Sequence, residues 1–242
     1  MRDKLFQDLL QRKSITLSEF ARNYLGVKYL PTIEPMIIST FSMDPRFQVK
    51  EGRIRLTKEA EASSFDFAFV VLDTETTGFS YYDNNVIEIA AMKIQDSRIV
   101  DQFHTLINPG KSIPADASAV NGITDEMVAG SPLFSDVMED FMKFLGDGIF
   151  VAHNVMFDWN FMNAELQRNG VAKLSNQKMC TIELTKTLVP GLPTYKLQYL
   201  VEHFGTKAKN DHRALADVSA TAEIMLSLIP KATKAQLRRL IK

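Results

Sequence analysis

Cysteine is nearly absent: one residue, Cys180, in 242. That excludes an intrachain disulfide and a cysteine-based zinc site. Long apolar runs are missing too. No stretch approaches the ~20 residues a membrane-spanning helix needs, and the N-terminal MRDKLFQDLLQRK lacks the apolar core of a secretion signal. The expectation is a cytoplasmic protein with no membrane partner. Net charge is almost absent as well, at −1, but that figure hides an asymmetry. Residues 1–60 carry 11 Lys/Arg against 7 Asp/Glu, a balance of +4; residues 61–242 carry 17 against 22, a balance of −5. A basic small part joined to an acidic larger part predicts two modules with different duties. The length allows a medium domain plus a small one.

The first module spans 1–60. Leu5, Leu9 and Leu10 have helical spacing within 3–12. Ser18 suits the cap of a second short helix through Phe20 and Ala21, stopping near Gly26. Pro35 opens a third, with Met36, Ile37, Ile38 and Phe41 following. In FQVKEGRIRL, Phe47 and Val49, then Ile54 and Leu56, alternate with polar residues on either side of Lys50-Glu51-Gly52, which predicts a hairpin. Three short helices and a hairpin resemble a winged helix-turn-helix module, with DPRF…GRIRL where its wing would stand. The resemblance implies DNA binding. Yet Pro35–Phe41 contains no Lys or Arg and is poorly equipped to read base edges. The positive charge lies instead on the hairpin, at Arg46, Lys50, Arg53 and Arg55. Phosphate contact through the wing and docking on a protein are the roles left open. The polar, small-residue stretch TKEAEASS leads into a linker at 61–65.

The apolar run Phe67–Leu72 reads as a strand buried on both faces, and it stops at an acid. Asp73 and Glu75, two apart, point to the same side. Carboxylates that close repel unless a cation lies between them, and oxygen ligands suit Mg²⁺ or Mn²⁺; a solvated acidic turn is the alternative. Val86–Ile94 and Arg98–Ile107 read as two further strands joined by Gln95-Asp96-Ser97. A helix over Leu133–Leu145 and a short strand at Ile149–Ala152 follow. Next comes His153-Asn154, with Asn154 a good N-cap for a helix carrying Val155, Trp159, Met162 and Leu166. Asp158 falls on the flank of that apolar stripe, either aimed at the sheet or placed for the helix dipole alone. In His212-Arg213-Ala214-Leu215-Ala216-Asp217 the helical neighbours Ala214, Ala220 and Thr221 leave room beside Asp217. His212 and Asp217 can share one centre only if His212 precedes the helix.

DTETTG, HNxxFD and HRALAD, in this order and spacing, resemble the three motifs of the DEDDh family of 3′–5′ exonucleases. Within it the chain is similar to the proofreading (epsilon) subunit of bacterial DNA polymerase III and the exonuclease domain of PolC-type polymerases. The likeness covers 66–230 and leaves 231–242 as a basic, amphipathic tail, for packing or docking. It implies a ribonuclease H-like α/β fold, a mixed five-stranded sheet with helices on both faces. It also implies two divalent cations, Mg²⁺ or Mn²⁺, held by Asp73, Glu75, Asp158 and Asp217, with His212 as general base. Two such ions bring the −5 of the larger module to −1, so the site need not repel phosphate. Phe79 stands like the family's wedge against the terminal base, and Asn154 is a second substrate candidate, though capping explains it equally well. Lys207 and Lys209 suit phosphate contact or plain solvation; His104, His203, Cys180 and Trp159 read as structural. Asn121 stands where the family usually has His before Gly-Ile. The implied function is removal of nucleotides from single-stranded or frayed 3′ ends of DNA, in proofreading or repair, with a DNA polymerase or another replication or repair protein as partner. An exonuclease that trims RNA 3′ ends, or a catalytically inert nucleic-acid-binding or polymerase-docking protein, are the alternatives.

Overall fold

In the computed structural model, which describes residues 1–58, 68–208 and 213–242, the chain divides into two units, Met1–Ser64 and Phe65–Lys242. The expected linker at 61–65 and Phe67, where the apolar run begins, lie outside the described residues.

In the smaller unit, helix α1 (Arg2–Arg12) buries Leu5, Phe6 and Leu9, as its spacing requires. Strand β1 (Ser14–Thr16) leads into α2 (Leu17–Phe20), which continues as a π-helical turn to Leu25 and stops at Gly26 with φ 68°. Ser18 is not the cap. Thr16 begins this helix: its hydroxyl accepts from the Glu19 N–H (3.1 Å) while the Glu19 carboxylate accepts from the Thr16 N–H (2.8 Å). That reciprocal box satisfies two orphan donors at once, which Ser18 alone cannot. Helix α3 (Glu34–Ser42) buries Ile37 and Phe41. Strands β2 (Phe47–Lys50) and β3 (Arg53–Leu56) form the hairpin, turning at Glu51-Gly52 with φ 54° and 67°, as a two-residue turn demands. β1 adds a third antiparallel strand that sequence spacing did not signal; three residues are too short for a pattern, and Ile15 opposite Ile54 carries it. Arg46 does not belong to the hairpin's outward charge. Its Nε and Nη2 grip Asp44 at 2.9 and 2.7 Å, and its guanidinium lies 5.3 Å from the ring centroids of Phe6 and Phe47. Both partners are buried, so the pair is internal to this unit.

The larger unit runs β4 (Phe69–Thr76), β5 (Val86–Gln95), β6 (Arg98–Leu106), α4 (Ala115–Asn121), α5 (Asp125–Val128), α6 (Phe134–Leu145), β7 (Ile149–Ala152), α7 (Met156–Arg168), β8 (Lys178–Cys180), α8 (Thr181–Leu188), α9 (Leu197–Phe204), α10 (Ala214–Leu228) and α11 (Lys234–Leu240). The strand order is β6-β5-β4-β7-β8, antiparallel among β6, β5 and β4 and parallel from β4 to β8. This mixed five-stranded sheet, covered on both faces, is the ribonuclease H-like architecture that the motifs imply. Asp96 and Ser97, with φ 51° and 59°, close the β5–β6 hairpin.

Strand alternation sorts β4 between two cores. Phe69 and Val71 pack with Leu184, Leu200, Val218 and Met225 under α8 to α11. Val70 and Leu72 pack with Phe141, Leu145, Phe161 and Met162 under α6 and α7. Gly148 lets β7 lie close beside β4, since a Cβ there would stand 2.8 Å from the Val70 methyl. The basic tail is folded in: Leu237 is fully buried, and Lys242 exchanges two 2.9 Å backbone hydrogen bonds with Lys178. Among the described residues no helix is long and apolar enough to cross a membrane.

Candidate active site

The alternation that fills the cores also places the acids. Past Leu72 the core ends, and the odd positions of β4 become Asp73 and Glu75, on the face covered by α10. There they meet Asp217, from the first turn of that helix. The ligand oxygens of these three lie within 4.8 Å of one another. The even positions become Thr74 and Thr76, on the α7 face. Asp158, in the first turn of α7, reaches that side of the strand: its Oδ1 accepts from the Thr74 N–H at 3.0 Å and the Thr74 hydroxyl at 2.8 Å. The acids therefore converge from both faces of the sheet around one strand end. Asp158 stands outside the triple and is held to it by Thr74.

Electrostatics mark the cluster as strained without a cation. Burial, then the charges of Asp158, Glu75, Asp217 and Glu88, push Asp73 well above the usual carboxylate range. Burial, then Asp217, Glu88 and Asp158, raise Glu75 to about 8, against a hydrogen bond from Asn121. Burial raises Asp158 to about 7, although both bonds from Thr74 favour its charged form. Oxygen-only donors at this spacing fit a hard divalent cation, which would relieve the repulsion.

Beside the triple lies a cavity of about 190 Å³, lined by Phe79, Val120, Asn121 and Phe157 among others. Phe79 is 85% exposed at its mouth, an aromatic face free to stack. Asn121, by contrast, is buried: its Nδ2 lies 3.3 Å from the Thr76 carbonyl and its Oδ1 accepts from the Ile123 N–H at 3.0 Å.

An exonuclease family model, RNase_T, matches residues 70–225, the span that holds this sheet and all four acids. The chain belongs to the RNase_T exonuclease family. It is 37% identical over 164 residues to DNA polymerase III subunit epsilon of Aquifex aeolicus, covering 68% of this chain and 81% of that one. It is 42% identical over 162 residues to DNA polymerase III PolC-type of Clostridium perfringens, covering 67% of this chain and 11% of that protein. The chain thus spans only about a tenth of the length of the PolC-type relatives it matches. Among solved structures, Exonuclease X in complex with 5′ overhanging duplex DNA is similar at TM-score 0.57 and 27% identity, covering 71% of this chain and 98% of that one.

Other residues singled out in this exonuclease sequence fall differently. Asn154 does not cap α7. It takes φ 68° in the turn before the helix, Val155 is the cap position, and Asn154 is exposed. Asparagine tolerates the left-handed region better than most residues, which is the physical reason it sits there. His212 and Lys209 lie outside the described residues; α10 begins two positions after His212. The Lys207 backbone N–H donates to Glu223 at 2.7 Å. His203 stacks on Tyr199, and Trp159 meets Phe150 edge-on. Sequence reasoning missed Thr74, which ties Asp158 in, and Glu88. The signal for Glu88 was present: one acid between Ile87 and Ile89 in a strand otherwise reading as buried, where a charge demands partners.

Proposed function

We propose that the protein is a two-metal-dependent 3′–5′ exonuclease that releases nucleotides from single-stranded or frayed 3′ ends of DNA. The observation that carries this is the meeting of Asp73, Glu75 and Asp217 within 4.8 Å, with Asp158 joined through Thr74. Two divalent cations, Mg²⁺ or Mn²⁺, would supply charge compensation for the attacking water and for the departing oxygen. Asp73, Glu75 and Asp217 would hold one, and Asp73, with Asp158 less directly, the other. His212 takes a proton from water as its oxygen attacks the terminal phosphorus. The bond from phosphorus to the 3′ oxygen of the preceding nucleotide breaks, and that oxygen is protonated from solvent. Phe79 stacks on the terminal base, independent of its identity. Asn154, exposed at the turn before Asp158, contacts the same nucleotide.

DNA is favoured over RNA because the relatives are DNA polymerase components and the 27% identical neighbour holds duplex DNA with an overhang. We read its role as proofreading or repair, with a DNA polymerase or another replication or repair protein as partner, a reading supported by the relatives' being DNA polymerase III components. The test is digestion of matched 3′-labelled and 5′-labelled DNA and RNA oligomers with Mg²⁺, Mn²⁺ or EDTA. The expected result is metal-dependent loss of mononucleotides from DNA 3′ ends. Faster loss from RNA would make the protein an RNA-trimming enzyme; no loss from either, with metal present, would leave a docking protein.

A further inference from the structure

Glu88 has no exposed surface, yet carries a charge beside a cluster that already holds too much of it. In the β4–β5 ladder it sits directly opposite Glu75, so both side chains share the α10 face of the sheet. Its oxygens accept four hydrogen bonds. Arg213 donates through Nε (3.1 Å) and Nη2 (2.8 Å), the Ala214 N–H donates at 3.0 Å, and His104 Nε2 lies 2.8 Å away. Burial pulls the Glu88 pKa upward, but the bonds from Arg213, His104 and Ala214 outweigh it and keep the carboxyl below its ordinary value. The Arg213 side chain is 36% exposed, so the pair is half-buried, and such a pair adds little stability over well-packed apolar residues. An isoleucine here would extend the core and spare Asp73 and Glu75 a repelling neighbour. What Glu88 supplies instead is geometric. Ala214 is the first residue of α10, and the Arg213 carbonyl accepts from the Asp217 N–H at 3.0 Å. One carboxylate on β5 thus grips the start of the helix whose first turn carries Asp217.

We infer that Glu88, through Arg213 and the Ala214 N–H, is a positioning residue that fixes the start of α10 and so sets Asp217 against Asp73 and Glu75. This rests on the reading of those three acids as a metal site. The two remain separable, because the first measurement is of metal binding and not of turnover.

The experiment compares wild type, Glu88→Gln, Arg213→Lys and Leu237→Ala in the full chain. Mn²⁺ affinity is measured by calorimetry, thermal unfolding in EDTA, and kcat and KM on a labelled DNA oligomer. Glutamine turns an N–H₂ toward one of the donor sets, and lysine lacks the fork that spans both oxygens. Each should weaken Mn²⁺ binding about 10- to 100-fold, the range for groups that orient metal ligands, and lower kcat with little change in KM. Leu237→Ala, a core change in the C-terminal helix, should lower the melting temperature and leave Mn²⁺ affinity as it was. Wild-type Mn²⁺ affinity in both Glu88→Gln and Arg213→Lys, whatever their melting temperatures, would overturn the inference. If Glu88→Gln does not fold, Arg213→Lys decides alone, since it keeps the charge and the Ala214 bond. If no variant nor wild type cleaves DNA, the proposed activity falls while the Mn²⁺ affinities still judge Glu88.

Discussion

Asp73, Glu75 and Asp158 hold protons more tightly in the folded protein than in the unfolded chain, where carboxylates titrate near about 4. The sign of the consequence follows from linkage. As pH rises toward the folded-state values, about 7 for Asp158 and about 8 for Glu75, the unfolded state is already ionised and the folded state must follow at a cost. In EDTA the melting temperature should therefore fall between about pH 6.5 and pH 8. That window lies above the ordinary titration of His153, which burial depresses to about 4. Added Mn²⁺ should reverse the fall by an increment that grows with pH, and Asp73→Asn should flatten it. A melting temperature in EDTA that is level or rising across this window would contradict the account. Asp73→Ala, Asp158→Ala and Asp217→Ala should each abolish turnover with the fold retained, and stability in EDTA tells them apart. Asp73→Ala removes repulsion and should raise it. Asp158→Ala leaves the Thr74 N–H and hydroxyl without their acceptor and should cost about 1–3 kcal/mol. His212→Ala should slow turnover roughly 10²–10⁴-fold and leave Mn²⁺ affinity in place, because a general base is not a ligand. These acids were legible in the sequence because a strand's period of two and a helix's first turn are local facts. That Asp158 meets the others through Thr74 was not, because contact across 84 positions depends on which face of the sheet α7 covers.

At the scale of the elements, apolar patterns of four residues or more and marked turns read true, while a three-residue strand and single capping residues did not. β7 at Ile149–Ala152 was readable from four consecutive apolar residues, and both hairpins from their turns. β1, three residues long, was silent, and Ser18 and Asn154, both with capping chemistry, misled in different ways. A residue with capping chemistry marks a helix end only when no neighbour does better, and Thr16 with Glu19 did better. At Asn154 the chain needed a left-handed turn instead. The C-terminal helix α11 was ambiguous in the sequence because packing and docking helices share an amphipathic pattern. Leu237, fully buried, resolves it toward packing. Leu237→Ala should cost about 2–5 kcal/mol, as large-to-small changes at core sites do. Ending the chain at residue 232 should cost more, since the strand-like pairing of Lys242 with Lys178 goes too. Thermal unfolding of the fragment from residue 65 onward measures both.

The whole molecule joins a unit carrying the acids to one carrying an outward basic hairpin, and their contributions should separate. A fragment from residue 65 should cleave short oligomers at close to the full-chain rate. If the hairpin contacts phosphates, the full chain should bind longer strands more tightly, with a steeper salt dependence. Replacing Lys50, Arg53 and Arg55 by Ala should reduce that slope by about two, near 0.7 per single-strand phosphate. Arg46→Ala should act differently: it strands buried Asp44 and should destabilise the small unit by about 3–5 kcal/mol. Equal slopes for full chain, fragment and triple variant would turn attention from phosphates to protein docking.

The order in which the larger unit assembles follows from the reach of its bonds. β4, β5 and β6 are neighbours in sequence and pair through hairpins. The links that bring in Asp158 and the start of α10 span 84 and 126 positions. Local pairings form early, and distant ones wait for loops to close. On that ordering Asp73 and Glu75 should be in place before Asp158 and Asp217 join them, and the acidic cluster should form only once the last elements dock. A divalent ion should accordingly leave the refolding rate unchanged and slow unfolding alone, as interactions absent from the transition state do. The single tryptophan, Trp159, packed edge-on to Phe150 across the β7–α7 contact, is placed to time that final step by stopped-flow fluorescence.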